Sequence, residues 1–566
     1  MRDFCKICFL LSGFLSCFCP ISGLRGQCED DWALSQWSRK GQADPYSSNA
    51  PFRVAADDWG NSYMAGYAAD SLFMQSSEGD VFLQEGGVDS NYQLVLSKYD
   101  PGGRLRWARG FAAGPFSSFS PDVDTWKDRV AIAGTYYEDR FGAFVHLLDS
   151  AGAITWVRLF SGAGDIWCYG LAFSGDGSLV MTGRFTGDLS LPGGWALSSG
   201  GPAGENYQAY ALRLDAEGEI LWAVQSQAGS DSRGQPIAID YFGDVVLGGY
   251  FSDSLRWNEQ VLSSGKNGGR TPFIAKLEGK SGKLLWLQGA LPDPSGFPNG
   301  VLYGLTCDRN RNIYGVGYIQ SEFTWEGVPI IPAGNYENLV LSFDDDGNMR
   351  WVKTFGSSDP EDLEWTASAL ISPYETLIVG ANVYPGTELD GFSLPWFGQT
   401  DLVALEFDLR GAFLQARVFG GPELDFSYGG AIDPEGNLLF CGNSLSEVFT
   451  VRDTDLSFDT LGRANSFLFK LCTTLPNNGG PGMEGEIVVY PNPGKGVFRV
   501  EGVIAEGTVR ALLCDVMGRK IWLGSFKSTG ENAVYPINAG PLEPGMYYLR
   551  LYLGGGRFFS TPVFIN

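Results

Sequence analysis

Few residues of this 566-residue chain have the types and spacing needed for chemistry, and those few point in several directions. There is one histidine, His146. A multi-histidine metal site is therefore excluded, and a Cys-His pair or a triad could be built only around that residue. Carboxylates are plentiful. Asp344-Asp345-Asp346-Gly347-Asn348 offers oxygens that suit calcium, but it lacks the spaced ligands and distal Glu of a calcium loop. It reads as a solvated turn. Asp122, Asp124 and Asp128 read the same way, near a first-strand turn. A pair of carboxylates on one surface could support glycoside chemistry, and with 65 acidic residues some pair will meet by chance. Gly-rich stretches sit at hairpin turns and form no phosphate loop. No cofactor is expected.

The elements that must position these groups come from a repeat. Gly66, Gly134, Gly183, Gly249, Gly317, Gly380 and Gly442 mark one register at intervals of 49 to 68 residues. A turn and an apolar strand precede each, clearest as Asp57-Asp58-Trp59-Gly60-Asn61-Ser62-Tyr63 and Asp433-Pro434-Glu435-Gly436-Asn437. A second hairpin follows, clearest as Lys98-Tyr99-Asp100-Pro101-Gly102-Gly103-Arg104-Leu105-Arg106-Trp107. Repeats two and six are degenerate, with Arg129 and Glu375 in place of the turn Asn. Two hairpins make four antiparallel strands, the unit of a propeller blade, and seven units fit a closed ring. Trp107, Trp156, Trp222, Trp286 and Trp351 recur at one place in the fourth strand, where repeat six has Gln415. Such regularity suits packing between blades better than a ligand platform. His146 falls where other repeats have Leu212, Leu341, Leu405 and Phe469, so it reads as a packed blade residue.

The seventh repeat supplies three strands and stops at Cys472, while Asp31-Trp32-Ala33 near the start resembles Trp107-Ala108-Arg109. The N-terminal segment is thus expected to complete the last blade and remove exposed strand edges. Aligning Trp32 with Trp107 puts Cys28 at the place of Gly103. Aligning Lys470 with Lys98 puts Cys472 at the place of Asp100. These positions flank a tight turn, so a Cys28–Cys472 disulfide is expected to replace the turn that the chain ends interrupt. Cys168, Cys307, Cys441 and Cys514 also follow Gln27. Cys307 and Cys441 are expected as buried free thiols.

Composition and ends speak to location. Arg2 and Lys6, the apolar run Ile7–Cys19 and the small residues to Gly26 read as a secretory signal over residues 1–26. A lipoprotein reading at Leu15-Ser16-Cys17 has only a short run before it. No later stretch is long and apolar enough for a transmembrane helix. The formal charge of −25 argues against a nucleic-acid partner. A propeller over residues 27–472 is followed by a linker, residues 473–483, and by short strands over residues 484–566 that suggest a small Ig-like β-sandwich. The fold class expected is therefore all-β, a seven-bladed β-propeller followed by that sandwich.

Two resemblances attach to these motifs. The Asp-x-x-Gly-Asn-x-Tyr-x-x-Gly unit, the Lys-x-Asp-x-x-Gly-x-x-x-Trp unit and the link Phe419-Gly420-Gly421-Pro422-Glu423-Leu424-Asp425 resemble the bacterial β-propeller repeats labelled SBBP. That resemblance implies a fold and no particular activity. Tyr490-Pro491-Asn492-Pro493, Asp515-Val516-Met517-Gly518-Arg519-Lys520 and Pro544-Gly545-Met546-Tyr547-Tyr548-Leu549-Arg550 resemble the type A C-terminal sorting domain of the type IX secretion system of Bacteroidetes. The final strand departs from that family's Lys-rich ending. The resemblance implies the secretion machinery as partner of residues 484–566, passage through the periplasm, and an extracellular or outer-surface destination. Three functions stay open: a non-enzymatic module binding a glycan or protein on the propeller face, an enzyme acting on polysaccharide through paired carboxylates, and a structural surface-layer protein.

Overall fold

The computed structural model describes residues 32–38, 49–68, 72–75, 77, 81–84, 93–111, 116–117, 121–202, 204–264, 268–293, 297–359, 366–373, 375–451, 454–457 and 465–471. Toward the C-terminus it describes 488–490, 497–503, 507–515, 520–528, 532–542, 545–554 and 557–565. Residues 1–26, Cys28, Cys472 and the linker 473–483 lie outside the described residues, and with them the expected disulfide.

Four-stranded antiparallel sheets dominate. The first is Asn49–Ala56, Ser62–Ala68, Gln93–Tyr99 and Leu105–Phe111. The second is Asp122–Trp126, Arg129–Tyr137, Phe141–Asp149 and Ile154–Phe160, with Phe116–Ser117 also on Arg129–Tyr137. The third is Ile166–Phe173, Leu179–Phe185, Gln208–Leu214 and Ile220–Gln225. The fourth is Asp231–Ile239, Val245–Ser252, Thr271–Leu277 and Leu284–Gly289. The fifth is Gly300–Cys307, Ile313–Ile319, Glu337–Phe343 and Met349–Phe355. The sixth is Thr366–Ile371, Thr376–Val383, Asp401–Asp408 and Phe413–Phe419. The last joins Asp425–Ile432, Leu438–Ser444 and Asn465–Leu471 to the N-terminal strand Trp32–Ser38. First strands of consecutive sheets lie side by side, and Asp425–Ile432 lies against Asn49–Ala56. The chain is all-β and of the β-propeller type, with the first strands around a central channel.

The repeated residues have identifiable jobs. Asp57 accepts the backbone N–H groups of Trp59 and Asn61 at 3.0 and 2.9 Å, and the Tyr63 hydroxyl at 3.0 Å. This turn holds Gly60 at φ 77°, a left-handed conformation that glycine adopts without strain. Asp308 and Tyr314 repeat the arrangement. In the sixth sheet the register differs by one from the sequence expectation. Glu375 takes the glycine position, with φ 59°, and Thr376 takes that of the Asn. The register glycines answer a bulge. Each pairing with the first strand shifts register opposite Gly66, Gly183, Gly249, Gly317, Gly380 and Gly442. A Cβ on Gly183 or Gly249 would lie 1.9 or 1.8 Å from the carbonyl oxygen of Trp167 or Arg233, so only glycine fits.

Tryptophans tie each sheet to the next. The indole N–H of Trp107, Trp156, Trp222, Trp286 and Trp351 donates to the carbonyl of Ser150, Ala216, Gly279, Asp345 and Leu409 at 2.8–3.2 Å. Each acceptor lies in the outer hairpin turn of the following sheet. In the sixth sheet Gln415 instead donates to the buried Glu406. The reason is topological: the next sheet has no such turn, because its fourth strand arrives from the N-terminus. There Trp32 faces Lys470 in the register that Trp107 shares with Lys98. A second set of ties, unforeseen from sequence, uses small hairpins between second and third strands. Gln227–Ala228 pairs with Ser254–Trp257, Leu291–Pro292 with Phe323–Trp325, and the far end of Trp32–Ser38 with Leu72–Gln75.

Near the C-terminus, Val488–Tyr490, Val497–Val503 and Asn532–Asn538 form one sheet. Lys520–Ser528, Gly507–Asp515, Gly545–Gly554 and Arg557–Ile565 form another. Both feed one core, with Phe498, Val500 and Ile537 from the first and Val509, Leu513, Leu549 and Val563 from the second.

Candidate functional site

The bulged first strands enclose a cavity of about 390 Å³ along the channel, lined from every sheet of the ring. On one wall, Asp122 and Asp124 point the same way from one strand, as i and i+2 must. The sequence expectation of a solvated turn is corrected here: only Asp128 is in the exposed turn. Asp122 accepts the Leu171 N–H at 2.8 Å and lies 3.5 Å from Arg53 Nε. Asp124 accepts the Phe173 and Thr125 N–H groups at 2.7 and 2.8 Å. The two carboxylates stitch the second sheet to the third. Enclosure by protein pushes Asp124 up to about 7, against the pull of the two amides, and the neighbouring Asp122 adds to the rise. Arg53 in turn donates to the Tyr428 carbonyl at 2.6 Å, drawing in the last sheet.

The mouth at the register-glycine end differs in chemistry. Each of three consecutive sheets places three side chains in a row: one on the first strand, its pairing partner on the second, and the residue just before the third strand. The rows are Trp167, Arg184 and Tyr207; Arg233, Tyr250 and Arg270; Val301, Tyr318 and Tyr336. The bulges add Tyr169, Gln235 and Tyr303 at the channel rim. Arg184 lies over the rings of Tyr207 and Trp167 at 4.2 and 4.9 Å. Arg233 lies over Tyr169 at 3.6 Å, and Arg270 over Tyr250 at 5.2 Å. Tyr318 stacks obliquely on Tyr303 and Tyr336. The single carboxylate among them is Asp231, which accepts the Tyr250 hydroxyl at 3.3 Å. Burial raises its pKa, and Arg184, Arg233 and Arg270 pull it back only in part.

The opposite end of the same sheets carries a closed ion-pair network. Buried Lys276 lies 2.8 Å from buried Asp240 and also reaches Asp345. Arg311 reaches Asp240, Asp244 and Asp345 at 3.0, 2.7 and 2.7 Å. Asp345 is therefore an inter-sheet tie, while Asp344 accepts the N–H groups of Asp346 and Asn348 as a turn. Among the described residues no group of three His, Cys, Asp or Glu is placed to hold a metal.

His146 packs edge-on between Phe111 and Phe144, with centroids 5.0 and 5.3 Å away, and burial pulls its pKa down to about 4. Cys168, Cys307 and Cys441 are free, and burial pushes the Cys307 and Cys441 thiols up to about 12. Sequence reading placed none of the mouth residues. The signal that would have found them is the position after the register glycine, which holds Arg184, Tyr250 and Tyr318.

No family model and no curated protein matches the sequence. Similar solved structures include quinohemoprotein alcohol dehydrogenase from Comamonas testosteroni, at 10% identity over 76% of each chain with a TM-score of 0.37. A protein of unknown function from Dyadobacter fermentans is 9% identical over 78% of this chain and 99% of that one, with a TM-score of 0.36. Virginiamycin B lyase from Staphylococcus aureus is 10% identical over 78% and 99%, with a TM-score of 0.35. The dehydrogenase and the lyase differ in chemistry, and similarity this low assigns neither activity to this chain.

Proposed function

We propose that this chain is an exported, non-enzymatic binding module: a seven-bladed SBBP-type propeller with an Ig-like C-terminal sandwich that the type IX machinery sorts to the cell surface or the medium. Supporting the architecture are the repeated four-stranded sheets, the strand Trp32–Ser38 that completes the last of them, and the shared core of the two C-terminal sheets. Supporting export are the signal-like residues 1–26 and the sorting-type motifs near Tyr490, Asp515 and Pro544. The observation that carries binding is the mouth, where aromatic rings and guanidiniums from three sheets stand together at the end of the channel. Surfaces rich in Tyr, Trp and Arg gain contact energy on association. A Cys28–Cys472 disulfide belongs to the same reading, because an exported ring gains from covalent closure of its last sheet.

A glycan array combined with a hydrolysis screen on the full chain tests the function. Specific retention without turnover is expected. Intact-mass analysis of the native surface protein should show both ends removed, and non-reducing peptide mapping should recover Cys28 linked to Cys472. A polysaccharide-cleaving enzyme is the second reading, favoured by Asp122 and Asp124 side by side on the channel wall with Asp124 held near neutrality. Asp124→Asn would abolish cleavage on that reading and leave retention untouched on the first.

A further inference from the structure

We propose that the mouth formed by the third, fourth and fifth sheets binds a carboxylated saccharide of the uronic-acid type, with Arg184, Arg233 and Arg270 gripping its carboxylate. This rests on the binding reading above and names its ligand class.

The argument begins with donors that the protein does not use. A guanidinium carries five N–H groups in a fixed fork. Among the described residues Arg184 and Arg233 make no side-chain hydrogen bond and no ion pair, and the Nε of each is buried without a partner. Arg270 has only a long contact of 3.5 Å to the Tyr318 hydroxyl. Elsewhere in this chain the interior cations Lys276, Lys470 and Arg213 all reach carboxylates. Three arginines around one aspartate leave positive charge at the mouth of a protein whose formal charge is −25. The aromatic faces under Arg184 and Arg233 fix the planes of the forks in advance, which lowers the ordering cost of binding. Fork geometry matches a carboxylate through two parallel hydrogen bonds.

The acceptors nearby narrow the class. Asp231 Oδ1 and Gln235 Oε1 are also buried without a partner. A ligand suited to this mouth accepts at the arginines and donates beside them. A uronic acid does both within one ring, since its carboxylate adjoins hydroxyls. The tyrosines of the fifth-sheet row offer flat apolar faces for the next sugar. The acidic remainder of the protein disfavours densely charged polymers, so a short or sparsely charged chain end fits best.

Titration calorimetry on the full chain tests this with an oligogalacturonate, a neutral oligosaccharide of equal length, a sulfated oligosaccharide and an acidic peptide. Saturable binding of the oligogalacturonate is expected, weakened at least tenfold by Arg184→Gln or Arg233→Gln and unchanged by Arg158→Gln on the outer strand. Arg233→Lys keeps the charge but loses the fork, and should give an intermediate loss even if a glutamine variant unfolds. The proposal is overturned by absent binding, by affinity indifferent to all three mouth variants, or by tighter binding of the sulfated probe or the peptide. Retention of the neutral probe alone would overturn the uronic-acid assignment and leave the binding module standing. Cleavage of the oligogalacturonate with the same arginine dependence would keep the grip and overturn the non-enzymatic reading.

Discussion

The fourth sheet carries two charged clusters at opposite ends of the same strands, and they are built on opposite terms. Its first strand holds Arg233 near the start and ends next to Asp240; Arg270 precedes its third strand, which holds Lys276. At the Asp240 end every charge is answered, with Lys276 and Arg311 sharing three aspartates. At the Arg233 end the cations rest on aromatic faces and lack carboxylate partners. A buried charge without a partner is expensive, so the paired end is explained by folding alone. The unpaired end is partly exposed at the mouth, and ion pairing within the fold does not account for it. The difference separates a cluster that folding accounts for from one that it does not, better than charge density does.

The comparison breaks most visibly at Lys276. Lys276→Met leaves the buried Asp240 with Arg311 alone and should destabilise the propeller by about 3–5 kcal/mol, the usual cost of breaking a buried pair. Urea unfolding followed by fluorescence measures it. A loss below about 1 kcal/mol would mean that the network is ornamental.

Acidity sharpens the contrast next. Burial tends to raise Asp240, but Lys276 and Arg311 outweigh it and hold its pKa below the usual range. Its contribution is present above about pH 4 and is lost as pH falls through the lower folded value. Asp124 on the channel wall, and Asp401 and Asp425 at the starts of their strands, have the reverse sign. Burial pushes Asp124 and Asp401 up to about 7 and Asp425 up to about 6. They keep protons that the unfolded chain releases near pH 4, so stability should fall as pH rises from about 4 to about 7. Each pKa unit of such a shift is worth about 1.4 kcal/mol. Asp124→Asn should flatten that slope in urea midpoints taken from pH 5 to 8.

Smaller still is Trp286→Phe at the paired end. It removes one indole hydrogen bond to the Asp345 carbonyl and should cost about 1 kcal/mol or somewhat more. Smallest is Arg184→Gln at the mouth. It breaks no ion pair and forfeits only cation–π contact, so the expected loss is about 0.5–1 kcal/mol, read as a minor change in melting temperature. A loss as large as that of Lys276→Met would make the mouth structural after all.

The parts legible in the sequence were those that each sheet repeats. Asp57, Gly60, Asn61 and Tyr63 recur because one turn needs one set of hydrogen bonds. Trp107 and its equivalents recur because each caps the next outer turn. Gln415 departs from the Trp pattern beside a sheet with no turn to cap, and donates to Glu406 instead. The mouth was hidden for the converse reason. Arg184, Arg233 and Arg270 come from different strands, and repeats of similar backbone put Trp, Arg or Val at one position of the row. The mouth residues vary from sheet to sheet where the scaffold does not, and a pattern search sees the scaffold. The bulges were also silent, because the glycine opposite announces that the chain must be bare there without saying why.

The strand Trp32–Ser38 has a consequence in time. Its partners Ser466–Lys470 are among the last residues of the ring to be made, so the earliest strand must wait for the latest. Contacts this distant in sequence slow folding, although the closure entropy grows only as the logarithm of the loop, about 0.6 kcal/mol per doubling. Until the two ends meet, the sixth sheet has only an incomplete neighbour and Asn465–Leu471 keeps a bare edge. The latch therefore acts late, because the last sheet cannot be completed before its C-terminal partner strand exists.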